Sequence, residues 1–215
     1  FSQRVMVPSV MLSPICGMTT SMRAIRTPFQ MRNVLPQTGF PVRRQPTKPE
    51  LPKGKQTTLG LYVTAKEAYE KWKADPDKVK ILDVRTLEEY LFIGHPAMAW
   101  IIPLLFQIYE WDQEKQKFPM KLNPDFISQV KKIAGTSDII MVTCRSGGRS
   151  AMAANQLAEA GFKNVYNITD GIEGDLVADP NSVFNGQRMM NGWKNSGLPY
   201  TFKIDPKLML ITGSK

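Results

Sequence analysis

The sequence predicts an α/β fold, a parallel sheet with helices on both faces. Three observations carry that prediction. From residue 61 onward, short β-type runs alternate with helical ones. The run at 138–143, Asp-Ile-Ile-Met-Val-Thr, is apolar enough to be a buried strand. Two Thr-x-x-Glu sequences, Thr64 to Glu67 and Thr86 to Glu89, follow β-type runs and read as helix starts.

The elements follow in order. Residues 61–63 are a short strand. The Thr64 capping pattern opens a helix that runs to about residue 74 and stops before Asp75-Pro76. A buried-type strand covers 79–84, and Thr86 opens a second, short helix. Residues 99–103 read as a strand. Asn123-Pro124 predicts a helix start with Asn as the cap and Pro in the first turn. After the strand at 138–143, residues 150–160 form a helix of small residues ended by Gly161. Residues 164–168 are the last strand. No internal repeat is visible.

Chemistry concentrates in Cys144-Arg145-Ser146-Gly147-Gly148-Arg149, followed by Ser150. Open α/β sheets bind ligands beyond the carboxyl ends of their strands, and Cys144 stands at such an end. A Gly-containing loop leading into a helix turns successive N–H groups inward as an anion cradle, and the helix adds positive potential. Both favour a thiolate. Gly147 and Gly148 permit backbone angles other residues resist. Arg145 and Arg149 add fixed positive charge. The alternative for a lone Cys is a buried structural residue, but two Gly and two Arg within six residues argue against it. Cys144 is the expected nucleophile and residues 145–150 its substrate-binding loop.

Residues 61–200 resemble a single-domain rhodanese of bacterial type, a thiosulfate sulfurtransferase-like protein. Cys144, Gly147 and Arg149 match that family's Cys-x-x-Gly-x-Arg pattern. Asp83-Val84-Arg85 resembles its Asp-x-Arg, Glu89-Tyr90 with Gly94-His95 its Glu-Tyr/Phe…Gly-His segment, and Asn191-Gly192-Trp193 with Gly197-Leu198-Pro199 its ending. The resemblance implies a rhodanese-like parallel five-stranded sheet and sulfur transfer through a Cys144 persulfide. It implies a sulfane-sulfur donor and a thiol or protein acceptor. Six residues from Cys to Arg resemble the sulfurtransferases, whereas phosphatase relatives use seven. Asp83 and Arg85 are expected as supporting residues that orient the loop, or as a structural ion pair. His95, the only histidine, reads as structural. The acidic stretch Asp170, Glu173, Asp175 and Asp179 fits no EF-hand. No metal and no cofactor is expected.

Charge divides the chain. Residues 1–60 hold nine Lys/Arg against Glu50, and the remainder nineteen against eighteen acids, so nearly all of the net charge of +9 lies in the first segment. That segment also holds eight of the sixteen prolines and no sustained period of 2 or 3.6, so it reads as an extended basic arm, 1–60, ahead of the domain, with 201–215 as a tail. Its Arg-, Ser- and Thr-containing, acid-poor composition resembles organellar transit peptides and their flanks. Phe1-Ser2 at the start suits a product of mitochondrial processing. A mitochondrial location is expected, with another organelle such as the chloroplast as the alternative. Two cysteines, Cys16 and Cys144, make no disulfide framework. No run reaches the ~18 apolar residues of a membrane span. The sequon at Asn167 falls at the end of a predicted core strand and reads as chance.

An arm of this kind suits a second role, an accessory subunit of a large organellar complex (ATP synthase, respiratory or ribosomal) that uses the domain as a docking module. Residues 1–60 would then bind protein partners, with contact to an anionic lipid surface as a further possibility. Phe29 and Phe40 give little sign of base stacking, so direct nucleic-acid recognition is not expected.

Overall fold

A computed structural model of the chain describes residues 50–210. The first 49 residues of the predicted arm and positions 211–215 of the tail lie outside the described residues. The elements are β1 (Tyr62–Val63), α1 (Ala65–Ala74), β2 (Val79–Asp83), α2 (Leu87–Ile93), β3 (His95–Pro96), β4 (Trp100–Ile101), β5 (Leu105–Gln107), β6 (Met120–Leu122), α3 (Phe126–Val130), β7 (Ile139–Thr143), α4 (Gly148–Glu159), β8 (Asn164–Ile168) and β9 (Tyr200–Thr201). Five strands form one parallel sheet in the order β1-β8-β7-β2-β4. Two short antiparallel pairs, β3 with β9 and β5 with β6, lie outside it.

Alternation along the central strands sends neighbouring residues into two cores. Leu82, Ile140, Val142 and Val165 pack on one face with Phe126 and Val130 of α3 and Ala153, Ala154 and Leu157 of α4. Ile81, Met141 and Ile168 pack on the other with Ala65 and Ala68 of α1 and with Trp193. The small residues of α4 let its backbone approach the sheet closely. Both Thr-x-x-Glu sequences form capping boxes, at Thr64 with Glu67 and at Thr86 with Glu89.

Two local readings change, and one hairpin has no counterpart in the sequence reading. The strand at 99–103 shrinks to two residues, after which Ile102 and Leu104 N–H bond back to the carbonyls of Asp83 and Val84. The helix expected from Asn123-Pro124 begins at Phe126 instead. The Asn123 amide is drawn inward to the Pro103 carbonyl (2.8 Å) and Gln129 Oε1 (3.1 Å), while its Oδ1 accepts from Asp125 N–H. That local turn uses the side chain before a helix can start on it. The β5–β6 hairpin, with Trp111 packed edge-on against Phe118, carries no two-residue turn signal.

Residues 50–60 fold onto the domain. A single 3-10 turn, Lys53–Lys55, sits on α4, Thr58 N–H bonds Asn155 Oδ1 (2.8 Å), and Lys55 Nζ pairs with Asp175 (2.7 Å). Among the described residues no helix is long and apolar enough to cross a membrane.

His95 is buried, its ring stacked on Tyr90 with centroids 3.6 Å apart and Nδ1 3.2 Å from the Tyr90 carbonyl. Burial holds its imidazole below the ordinary range. A histidine that stays neutral when folded but takes up a proton when unfolded costs stability as pH falls below about 6.5. We predict that the melting temperature falls between pH 7.5 and 5.5, and that His95→Asn flattens the slope in that window. Equal slopes in wild type and variant would refute it.

Candidate active site

Strand β7 delivers Cys144 to the carboxyl edge of the sheet, where it is only 1% exposed. The chain then turns sharply at Gly147, whose φ of +96° is left-handed. A Cβ there would lie 2.3 Å from the Thr169 carbonyl oxygen, so only Gly lets the loop close on the end of β8. The turn brings Gly147 N–H onto Cys144 Sγ at 3.2 Å. Helix α4 starts at the next residue, and its first-turn N–H groups have no intrahelical acceptor. Gly171 closes the loop from the other side. Its φ is +63°, and a Cβ would lie within 2.7 Å of the Cys144 and Arg145 carbonyl oxygens.

The two arginines have different surroundings. Arg145 is exposed. Arg149 makes a bidentate pair with Glu89, Nη1 to Oε2 at 2.5 Å and Nη2 to Oε1 at 2.6 Å. Burial pushes the Glu89 carboxyl up, but Arg149 outweighs it and holds the group below the ordinary glutamate range. Burial likewise works against the Arg149 charge, and Glu89 more than compensates. Because Glu89 also caps α2, the pair fastens the start of one helix to the start of another. Arg145, Arg149, Glu88, Gln107, Leu105 and Met120 border an open hollow of about 630 Å³ at this edge.

Ser146 and Gly148 are half-buried and Ser150 fully buried. Ser150 Oγ lies 3.4 Å from Cys144 Sγ and 2.6 Å from Asn167 Oδ1. Asp83 and Arg85 are both fully buried and form their own ion pair, Nη2 to Oδ2 at 2.7 Å, with Nη2 also donating to the Gly94 carbonyl at 2.7 Å. Their side-chain bonds go to one another and to Gly94, not to the Cys144 loop. Burial works against the Arg85 charge, but Asp83 holds it raised. Asp170 is buried and accepts from Ala65 and Gly192 N–H groups, and burial pushes its carboxyl up. Asp175 pairs with Lys55. The acidic stretch is thus divided between separate structural partners. Among the described residues no group of three or more His, Cys, Asp or Glu side chains is placed to hold a metal.

The sequence reading placed residues 144–150 together, as the structure does. It did not place Glu89 or Asn167 at the site. Glu89 carried a capping signal and a match to the Glu-Tyr/Phe…Gly-His segment, neither of which gave it a partner at the site, and Asn167 carried a sequon. Asn167 is fully buried in β8 and bonded through all of its amide. A polar residue inside a predicted core strand is the signal that could have drawn attention to it.

Comparison with known proteins agrees with this geometry. The Rhodanese-like domain profile matches residues 64–176. An uncharacterized protein of Rickettsia rickettsii is 35% identical over 128 residues, 59% of this chain and 85% of that one. Thiosulfate sulfurtransferase 16, chloroplastic, of Arabidopsis thaliana is 40% identical over 92 residues, 43% of this chain and 69% of its own length. The crystal structure of Rv0390 from M. tuberculosis matches with a TM-score of 0.51 at 26% identity, over 66% of this chain and 96% of that one. With the matched residues covering four of the five strands of the parallel sheet and the Cys144 loop, the chain belongs to the rhodanese-like domain family.

Proposed function

We propose that the protein is a sulfurtransferase that moves sulfane sulfur through a persulfide on Cys144. The observation that carries this reading is the Gly147 N–H directed at Cys144 Sγ from a six-residue loop at the head of α4. A relative named as a thiosulfate sulfurtransferase supports it. Arg145, exposed at the rim, is the group that draws in an anionic donor. Arg149, its charge shared with Glu89, braces the loop. Asp83 and Arg85 stiffen the neighbouring strand end as a buried ion pair. An organelle is the compartment we infer, and two plant relatives are named chloroplastic.

The reaction balances in two steps. The Cys144 thiolate attacks the outer sulfur of thiosulfate. A new S–S bond forms, the S–S bond of the donor breaks, and its electron pair leaves with sulfite. The persulfide anion that remains on Cys144 is the charge that the Gly147 N–H and the first turn of α4 stabilise. A thiolate acceptor then attacks the outer sulfur, takes it, and returns the Cys144 thiolate. No metal or redox cofactor enters either step.

Mass spectrometry of the purified chain after thiosulfate treatment is predicted to show one added sulfur on the Cys144 peptide, and none in Cys144→Ser. A wild type that gains no sulfur sinks the reading. Arg149→Lys breaks the bidentate pair with Glu89, and a single ammonium cannot restore its fork geometry. Turnover with thiosulfate and cyanide is predicted to fall about tenfold or more, the scale of one lost positioning interaction. Unchanged turnover would remove Arg149 from the bracing role.

A further inference from the structure

A line of hydrogen bonds leads from the backbone of the 53–55 turn to the nucleophile. Asn167 Nδ2 donates to the Lys55 carbonyl (2.9 Å) and to the Gly147 carbonyl (3.1 Å). Two carbonyl acceptors fix which end of the carboxamide is nitrogen, so Oδ1 must face Ser150. Ser150 Oγ lies 2.6 Å from that oxygen and 3.4 Å from Cys144 Sγ. A hydroxyl has one proton. An amide oxygen cannot donate, so the short contact requires the proton to lie on the Ser150–Asn167 line. The Ser150 oxygen therefore turns a lone pair, not a proton, toward sulfur.

We propose that Asn167 is a positioning residue that commits the Ser150 proton away from Cys144, with the Lys55 and Gly147 carbonyls holding its amide in that orientation. In this arrangement Ser150 accepts from the protonated thiol and gives no bond to the thiolate. Stabilisation of the anion is left to the Gly147 N–H, which is directed at Sγ, and to the positive potential at the start of α4. Ser150 thus favours the resting thiol and contributes nothing to the charged form. The proposal rests on Cys144 being the nucleophile of the persulfide reading.

Charged groups surround Cys144 from several elements and stay unchanged across the variants below. Arg145 and Arg149 are on its own loop, the latter coupled to the sulfur and paired with Glu89 of α2. Asp83 ends β2 with Arg85 two residues beyond it, Asp170 follows β8, and Lys55 with Asp175 lies beside the 53–55 turn.

The test is the pH dependence of iodoacetamide alkylation in the full chain, read on the Cys144 peptide by mass spectrometry because Cys16 is also present. Ser150→Ala is expected to leave the midpoint where it is or lower it. Asn167→Ala is expected to lower it by about one pH unit, since the freed hydroxyl can then donate to the thiolate. In the Ser150→Ala background the same Asn167→Ala change is expected to produce no further fall. A midpoint raised by Ser150→Ala would mean that the hydroxyl already donates to sulfur, and would overturn the proposal even if no Asn167 variant folds. Equal shifts from Asn167→Ala in both backgrounds would overturn it as well, because the effect would not pass through Ser150. Alkylation uses no sulfur donor. A chain that forms no persulfide but shows these shifts therefore defeats the sulfurtransferase reading and keeps only the proton placement between Ser150 and Asn167, whereas a chain that forms the persulfide without these shifts defeats the placement alone.

Discussion

The turn at Gly147 is where the fold and the candidate chemistry meet. Its left-handed backbone, pressed against the Thr169 carbonyl, aims an N–H at Cys144 Sγ and starts α4 one residue later. The same turn exposes the Gly147 carbonyl to Asn167. A side chain at this position would push the loop off the end of β8 and lose all three arrangements together. The sheet order supplies the rest, since β7 lies between β8 and β2 and so places Cys144 between Asn167 on one side and the Asp83–Arg85 pair on the other.

Charge at this edge is spent unevenly. Both side-chain hydrogen bonds of Arg149 go to Glu89, and those of Arg85 go to Asp83 and Gly94. Both cations are therefore architectural in what they touch. Arg145 alone of the three is exposed. Net positive potential at the loop mouth thus comes from one exposed side chain and from backbone dipoles, which do not titrate.

Much of the fold was legible because its signals are local. Thr64 with Glu67 and Thr86 with Glu89 announce helices three residues apart, and the apolar run into Cys144 announces a central strand. The Cys144 loop was legible for the same reason, as six consecutive residues of unusual composition. What escaped was long-range. Glu89 and Arg149 meet across sixty positions, and Asn167 reaches Lys55 across 112. Neither pairing leaves a pattern in the chain. Asn123 failed differently: its residue type suits a cap, but buried acceptors at Pro103 and Gln129 offered its amide more than a helix terminus did. Composition grouped Lys53 and Lys55 with the basic arm, and nothing in composition encodes their fit against α4.

The two outer strands of the sheet, β1 and β4, are two residues long, while β2, β7 and β8 inside are five each. An open sheet carries unpaired N–H and C=O groups at its borders, and long borders invite another chain to add itself. Here the ladder ends almost as soon as it reaches the rim. The most apolar strand, β7, is paired along nearly all of its length on both sides by β2 and β8, and the strands that stand at the margin beyond them are too short to template a foreign strand.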